Sequence, residues 1–519
     1  MSCIESREFV GEKMNNTIYK DLLLGIDIGT TGAKCSFYDF KGQKISSGYQ
    51  EYRMIHPKED WTEQDPVKWW TAVKENIQLC IDVDNIDTRR VACIGVSSTN
   101  AVMLMGKNNK IIYNGIGLHD QRAAAQEAWL KEHVGDELAF KITGNNIVKG
   151  SFALPTLRWF LDNRPDLIDE TEKFLIPNGF IIKKLTDEYS IDKPRSGLSL
   201  MNDLSKGGWS DEIISKAELP REILPPIFNS YDIVGEVTKK AAKATGLCEG
   251  TPVCAGAIDT ISATLASGVV DPLDAAITIG SSGRVCQINN KPYFKNRVLS
   301  TPYAFDGLYA AVQTTDNAGI SLKWFRDTFG KMVFQDALNA GISVYEQMNR
   351  LCAKSQPNNH LIFLPYLSGE KSPIWDPDAR GVFFGVSLTT SYSDFIRAIM
   401  EGVAFSIRHC IENLLNDHVE KDESAVPIGG GIANSDIWCQ IFADILQRNV
   451  IQLAQEETET LGDIIIAASA VGINDIKPDF GKSLAKKGKL KTPNKNLKDF
   501  YEEKFAKYID LYKSIAHLY

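Results

Sequence analysis

The sequence predicts a mixed α/β protein of two similar lobes, and three observations carry that expectation. Residues 22–28 (LLLGIDI) form a near-continuous apolar strand, Gly29-Thr30-Thr31-Gly32 a turn, and residues 33–40 (AKCSFYDF) a second, alternating strand. The same device returns half a chain later, as strand 275–279, turn Gly280-Ser281-Ser282-Gly283 and strand 284–288. In both halves, apolar strands and amphipathic helices then alternate. Two strand–glycine-hydroxyl-hydroxyl-glycine–strand units suggest a duplicated fold, although such turns are common enough for chance to compete with that reading.

The remaining elements follow in order. Asp65 caps a helix whose first residue is Pro66 and which runs through Trp69, Trp70 and Val73. Residues 91–97 (VACIGVS) read as a buried strand and 102–105 as a short one, followed by helical patterns over 121–131 and 172–185. In the second half, residues 361–365 and 426–428 read as extended, and 394–413, 435–447 and 461–471 as helical. The Lys-rich stretch after Lys482 reads as a surface linker leading to a closing helix over 497–517. Ile437, Ile441 and Ile445 recur every four residues, the mark of a core-facing stripe.

Composition narrows the function. The 519 residues are 44% hydrophobic and 24% charged, enough to bury a large core, so disorder and fibrous classes are excluded. Net charge is −9 with no basic block, which argues against a sequence-independent grip on nucleic acid. The first twenty residues are polar and lack the apolar core of a secretion signal. The apolar run 464–473 is too short to span a bilayer, so no membrane association is expected. Ten cysteines without a CxxC pair and seven dispersed histidines suit neither a disulfide framework nor structural zinc, which makes a reducing cytoplasm the expected setting.

Four segments could carry chemistry. Around Asp27, the glycines of Gly29–Gly32 expose backbone N–H groups, Thr30 and Thr31 add hydroxyls, and Lys34 adds positive charge. This set suits nucleotide phosphates, with Asp27 holding Mg²⁺ directly or through water, though an ordinary hairpin turn would use the same residues. It is neither GxxxxGK[ST] nor GxGxxG, which excludes a Walker loop and a dinucleotide fold. Gly429-Gly430-Gly431, before Asn434, lets a flat ring press on bare backbone ahead of a helix, or is simply a flexible turn. Asp259 stands among apolar residues at the start of a small-residue helix, as its cap, as a general base, or as both, since a capping Asp can also face a cleft. Asp120 and Arg122 would bind a polyol or form a surface ion pair, and Trp61 would stack on a sugar or simply pack. His119 has no companion at ligand spacing and reads as a packing or hydrogen-bonding residue. Lys371 and Arg380 read as structural loop charges.

Together these pieces resemble the FGGY carbohydrate kinase family from about Leu22 to Ile473. Gly25-Ile26-Asp27-Ile28-Gly29-Thr30-Thr31 looks like its first phosphate motif. Gly381–Val386 followed by Asp394–Glu401 is similar to its C-terminal pattern. Trp61-Thr62-Glu63-Gln64-Asp65-Pro66 and Leu364–Glu370 look most like the xylulokinase branch. The resemblance implies two ribonuclease-H-like domains of the actin/hexokinase type flanking a nucleotide cleft. Residues 21–267 would hold the sugar and the base, 268–480 the nucleotide, and 481–519 a linker and helix. It implies an ATP-dependent, Mg²⁺-requiring kinase of a small sugar, pentulose-like, with a polyol or aldonic acid as alternative acceptor; a homodimer is compatible with it. An actin-like conformational module is the competing class. By motif match, Asp27 would hold the metal and Asp259 would be the base. Thr30, Thr31, Lys34, Gly280, Ser281, Gly319, Lys323, Gly430 and Asn434 would line the nucleotide. Thr99, Asn100, Ala101, Asp120 and Asp259 would line the sugar. Ser98-Thr99-Asn100-Ala101 replaces the branch's Gly-Gln-Met-His, Leu118 stands where many members have Trp, and Ala153 and Thr156 also depart, which leaves the individual sugar open.

Overall fold

The computed structural model describes residues 19–357, 360–415, 425–454 and 457–519. Most of the polar N-terminal stretch considered for a secretion signal, residues 1–18, lies outside them. The first lobe is built on β1 (Leu22–Ile28), β2 (Gly32–Asp39), β3 (Lys44–Glu51), α1 (Pro66–Asp84) and β4 (Val91–Ser98). Much later in the chain it adds β5 (Ile233–Glu236), β6 (Pro252–Cys254), β7 (Ala257–Ile258) and α2 (Asp259–Ala266). As expected, Asp65 caps α1 by accepting from the Val67 N–H, with Pro66 in the first turn.

Between β4 and β5 lies an insert with its own four-stranded sheet, whose strands include Ala101–Gly106 and Lys110–Gly117, and a separate apolar cluster around Leu154, Leu157 and Phe160. The stretch expected as one helix over 172–185 divides there. Thr171–Leu175 pairs as a strand with Met103–Gly106, and the helix starts at Pro177. Proline is favoured in a helix's first turn and breaks its interior, so the chain starts afresh there.

The second lobe runs β8 (Ala275–Ile279), β9 (Gly283–Asn289), β10 (Leu299–Pro302), β11 (Tyr309–Thr315), α3 (Gly319–Phe329) and α4 (Tyr392–Leu415). It continues through β12 (Val426–Gly429), α5 (Asp436–Leu446), β13 (Val450–Gln452), α6 (Thr458–Ala470), β14 (Lys489–Lys491) and α7 (Lys498–Ile515). The stretch expected as a linker thus supplies β14, antiparallel to β13, and α7 buries Tyr501, Phe505 and Tyr508 in this lobe's core.

The two sheets repeat one topology. In the first, β1 is antiparallel to β2, β2 to β3, and β1 is parallel to β4, which is parallel to β6. In the second, β8, β9, β11, β12 and β13 take the same places with the same directions. A shared strand order with shared polarity answers the chance reading of the two turns. Among the described residues no helix is long and apolar enough to cross a membrane.

The lobes are joined by helices that press on sheet backbone. A Cβ on Gly95 of β4 would sit 2.2 Å from the Asp463 carbonyl oxygen of α6, and one on Gly25 of β1 would sit 2.3 Å from that of Thr460. Only glycine permits this approach. The shared core joins Leu23 and Cys93 of the first sheet, Ile261 and Leu265 of α2, Leu461 and Ile464 of α6, and Ala276 and Ile288 of the second sheet.

A buried carboxyl anchors the loop after strand Ile362–Leu364. Glu370 accepts from the Thr315 hydroxyl (2.6 Å) and the Asp316 and Lys371 N–H groups (2.8 and 2.9 Å), and burial raises its pKa to about 8. Lys371, read as a loop charge, pairs with Asp316 at 3.6 Å.

Two outcomes are expected. Gly95→Ala should lower the unfolding free energy by about 2 kcal/mol through overpacking, read by urea denaturation with an unchanged m-value. Glu370 holds its proton more tightly folded than unfolded. Its contribution to stability is therefore complete below the ordinary glutamate value of 4.5 and is lost as pH rises towards about 8. Glu370→Gln should flatten unfolding free energy over that window, and a slope equal to wild type would contradict this origin.

Candidate active site

The site forms where β1 and β7 flank the end of β4. Asp27 pairs in register with Ser97 on one side, and Ala257 pairs with the same Ser97 on the other. Asp259 follows β7 directly, so Asp27 and Asp259 stand on one sheet, with the end of β4 between them. Gly256 sets the step from β6 to β7: its φ is +72°, and a Cβ there would meet the Val96 carbonyl oxygen at 1.8 Å.

Asp259 is the first residue of α2, and Ile258, not Asp259, occupies the cap position. Its Oδ1 accepts from the Thr260 N–H (2.6 Å) and hydroxyl (3.1 Å). Its Oδ2 lies 3.5 Å from the Arg284 guanidinium of β9, which also donates to the Thr260 hydroxyl at 2.8 Å. A cation of the second lobe therefore reaches the candidate base of the first.

Asp27 lies directly across from Lys34 of β2 and accepts from Ser97 Oγ at 3.1 Å. Its carboxyl is held well above the usual aspartate range, first by burial, then by the charges of Glu459 and Asp259, with Ser97 and Lys34 opposing. The neighbouring turn is braced from behind. Tyr52 donates to the Gly29 and Gly32 carbonyls (2.6 and 3.0 Å) and the Gln64 amide to the Thr30 carbonyl (2.5 Å). The Thr30 hydroxyl lies 3.3 Å from that of Thr99, while Thr31 is exposed.

The second turn docks on the start of α3. The Gly319 N–H donates to the Gly280 carbonyl, and those of Ala318 and Ile320 to the Ser281 carbonyl, at 3.0–3.1 Å. Gly430 follows β12, the parallel neighbour of β8, so it sits beside that same turn, with exposed Asn434 just beyond. Gly280, Ser281, Gly319, Gly430 and Asn434 thus gather at one end of the second sheet. Lys323 lies a turn further along α3, half-exposed and paired with Asp327 at 2.6 Å.

The residues expected to hold sugar divide. Thr99 and Asn100 form the turn after β4, where the Thr99 N–H bonds the Ile28 carbonyl and the Asn100 amide the Ser151 carbonyl. Ala101 is fully buried. Asp120 is withdrawn: both its oxygens bind Arg122, and Oδ2 also accepts from the Thr62 N–H. Arg122 pairs with Glu63 at 2.9 Å and lies 3.9 Å over the Trp61 ring, so the expected surface ion pair is a buried network and Trp61 is a packing platform. The insert encloses these charges because Asp120, Glu63 and the Tyr113 hydroxyl all accept from one guanidinium and offset its desolvation.

Several site residues were not singled out from the sequence. Arg195 is buried and donates to the Ser98 and Thr99 carbonyls at 2.6 and 3.1 Å; burial lowers its pKa, against the pull of Asp192. Ser97, Arg284, Glu459 and Asp463 carry no local motif either: Asp463 is a lone carboxyl in an apolar helix, and Glu459 lies in the polar run 456–460. Among the described residues no three His, Cys, Asp or Glu side chains form a ready metal cage. A cation at Asp27 would then draw most ligands from water and phosphate oxygens, the habit of Mg²⁺. The crowding of Glu459 and Asp259 around Asp27 fits such a cation, which would relieve it.

Residues 22–266 match the N-terminal domain, and residues 275–471 the C-terminal domain, of the FGGY family of carbohydrate kinases. The chain is 29% identical over 455 residues to the xylulose kinase of Lactococcus lactis, covering 87% of this chain and 88% of that one. It is 28% identical over 453 residues to the gluconokinase of Bacillus subtilis, covering 87% and 88%. Its fold matches a ligand-bound xylulose kinase of Lactobacillus acidophilus with a TM-score of 0.85 at 24% identity, covering 95% and 98%. It also matches the ADP-bound glycerol kinase of Plasmodium falciparum with a TM-score of 0.84 at 21% identity, again covering 95% and 98%. On the two domain matches, which follow one another along most of its length, this chain belongs to the FGGY family of carbohydrate kinases.

Proposed function

We propose that this protein transfers the γ-phosphoryl group of ATP to a hydroxyl of a pentulose of the xylulose or ribulose kind. The observation that carries the reading is the placement of Asp27 and Asp259 on either side of one strand end, with a glycine-hydroxyl turn beside Asp27. Asp259, held by Thr260 and faced by Arg284, accepts the proton of the attacking hydroxyl. The new O–P bond forms as the bond to the leaving ADP oxygen breaks. Lys34 and the N–H groups of both turns offset charge on the phosphates. Asp27 would hold Mg²⁺, which would supply neutralisation of phosphate charge. Thr30, Thr31, Gly280, Ser281, Gly319, Lys323, Gly430 and Asn434 border the nucleotide; Thr99 and Asn100 border the acceptor. The xylulose kinase relatives support the pentulose, and the nine described cysteines, all free thiols, suit a reducing cytoplasm.

One observation favours a second acceptor class, the aldonic acids. Arg284 stands at the base, and Lys371 and Arg284 both lie within electrostatic reach of His119. A carboxylate would be welcome among them, and gluconokinases stand among the relatives.

ADP release should be measured against pentuloses, pentitols, hexuloses and aldonates. Strong stimulation by a pentulose is expected; stimulation by aldonates alone selects the second class, and release indifferent to every sugar contradicts the kinase reading in favour of an actin-like module. Asp259→Asn should lower sugar-dependent kcat by about 10²–10⁴-fold, and near-full turnover would remove it as the base.

A further inference from the structure

Asp463 lies in α6, inside the C-terminal family segment, yet its side chain bonds only to residues of the first lobe. It is fully buried. Enclosing a carboxyl among Leu461, Ile464 and Ile465 is costly unless its oxygens are used, and an alanine would fill the helix as well. They are used in a specific way. Oδ1 accepts from the Ser262 hydroxyl at 2.7 Å, and Oδ2 lies 2.9 Å from Ser97 Oγ. Ser97 Oγ in turn lies 3.1 Å from Asp27 Oδ1. Ser262 stands one helical turn after Asp259 on α2. One side chain therefore touches the serine that holds Asp27 and the helix that presents Asp259.

We propose that Asp463 is a positioning residue that fixes the orientation of the Asp27 carboxyl relative to the helix presenting Asp259 by tying Ser97 to Ser262. The proton arithmetic gives the link a direction. Ser97 has one hydroxyl proton and two carboxyl oxygens within reach. Both contacts are satisfied when Asp463 donates from Oδ2 to Ser97 Oγ, leaving the Ser97 proton to Asp27. An asparagine can reproduce this pattern, with Nδ2 donating to Ser97 and Oδ1 accepting from Ser262. An alanine cannot. The helix carrying Asp463 reaches the sheet backbone through Gly95, whose Cα lies under the Asp463 carbonyl, so the brace is seated on the same strand as Ser97.

The inference rests on the roles proposed for Asp27 and Asp259. The test is steady-state kinetics of the full chain with MgATP and the acceptor that stimulates it, for Asp463→Asn, Asp463→Ala, Ser97→Ala and the Ser97→Ala/Asp463→Ala pair. Asp463→Ala should lower kcat about 10–100-fold, with KM for both substrates within about twofold, because misplacement by a fraction of an ångström costs rate more than binding. Asp463→Asn should stay within about threefold of wild type. The double variant should be no slower than the slower single, since both break one link. Wild-type kcat in Asp463→Ala, an Asp463→Asn as slow as Asp463→Ala, or losses that multiply would each overturn the proposal. If Asp463→Ala does not fold, Ser262→Ala carries the test: reduced kcat at constant KM supports the brace, and unchanged kcat overturns it. A wild type that releases no ADP with any carbohydrate defeats the kinase reading itself, whereas an active wild type with an indifferent Asp463→Ala defeats only the brace.

Discussion

The parallel pairing of β1 and β7 to opposite sides of the last two residues of β4 sets the distance between two carboxyl groups drawn from chain positions 27 and 259. Backbone ladders do not stretch, so the separation of neighbouring strands, about 4.8 Å each, is imposed before any side chain adopts a rotamer. What the side chains add is orientation. Ser97 and Lys34 orient Asp27, and Thr260 with Arg284 orient Asp259. The close approach of α6 to Gly25 and Gly95 then presses a helix of the second family segment against the strands that carry the site.

Electrostatics explain why such a constellation belongs with a polyanion and a cation together. Glu459 and Asp259 crowd Asp27, and burial of its carboxyl raises the cost of its charge further. Left alone, that crowding opposes ionisation; a divalent cation held there would reverse it. On the other side, Arg284 keeps a positive charge beside Asp259 without filling its oxygens. Two carboxyl groups a strand apart thus sit in different fields, one crowded by other carboxylates and one faced by a guanidinium.

Much of this was legible in the sequence because it depends on local patterns. Both glycine-hydroxyl hairpins, the Asp65-Pro66 helix start and the helices 436–446 and 458–470 follow from period, caps and turn residues. The setting of Asp259 was half legible: its apolar surroundings marked it, but that it is not the helix cap needed the backbone, which makes Ile258 the cap. Long-range pairing was not legible. Nothing near Asp120 announces that Arg122 folds over Trp61 and meets Glu63, and nothing near Lys489 announces that its strand finds β13. Asp463 sits in an apolar helix whose periodicity hides one carboxyl among isoleucines. The break at Pro177 was overridden by a helical periodicity that reads across it.

The division of labour between the two carboxyl groups is tested most directly by the calorimetric affinity of ADP, with and without Mg²⁺, for the wild type, Asp27→Asn and Asp259→Asn. The account predicts that Mg²⁺ tightens ADP binding to the wild type and to Asp259→Asn, and that this tightening disappears in Asp27→Asn. Full metal-dependent tightening in Asp27→Asn, or its loss in Asp259→Asn alone, would contradict it.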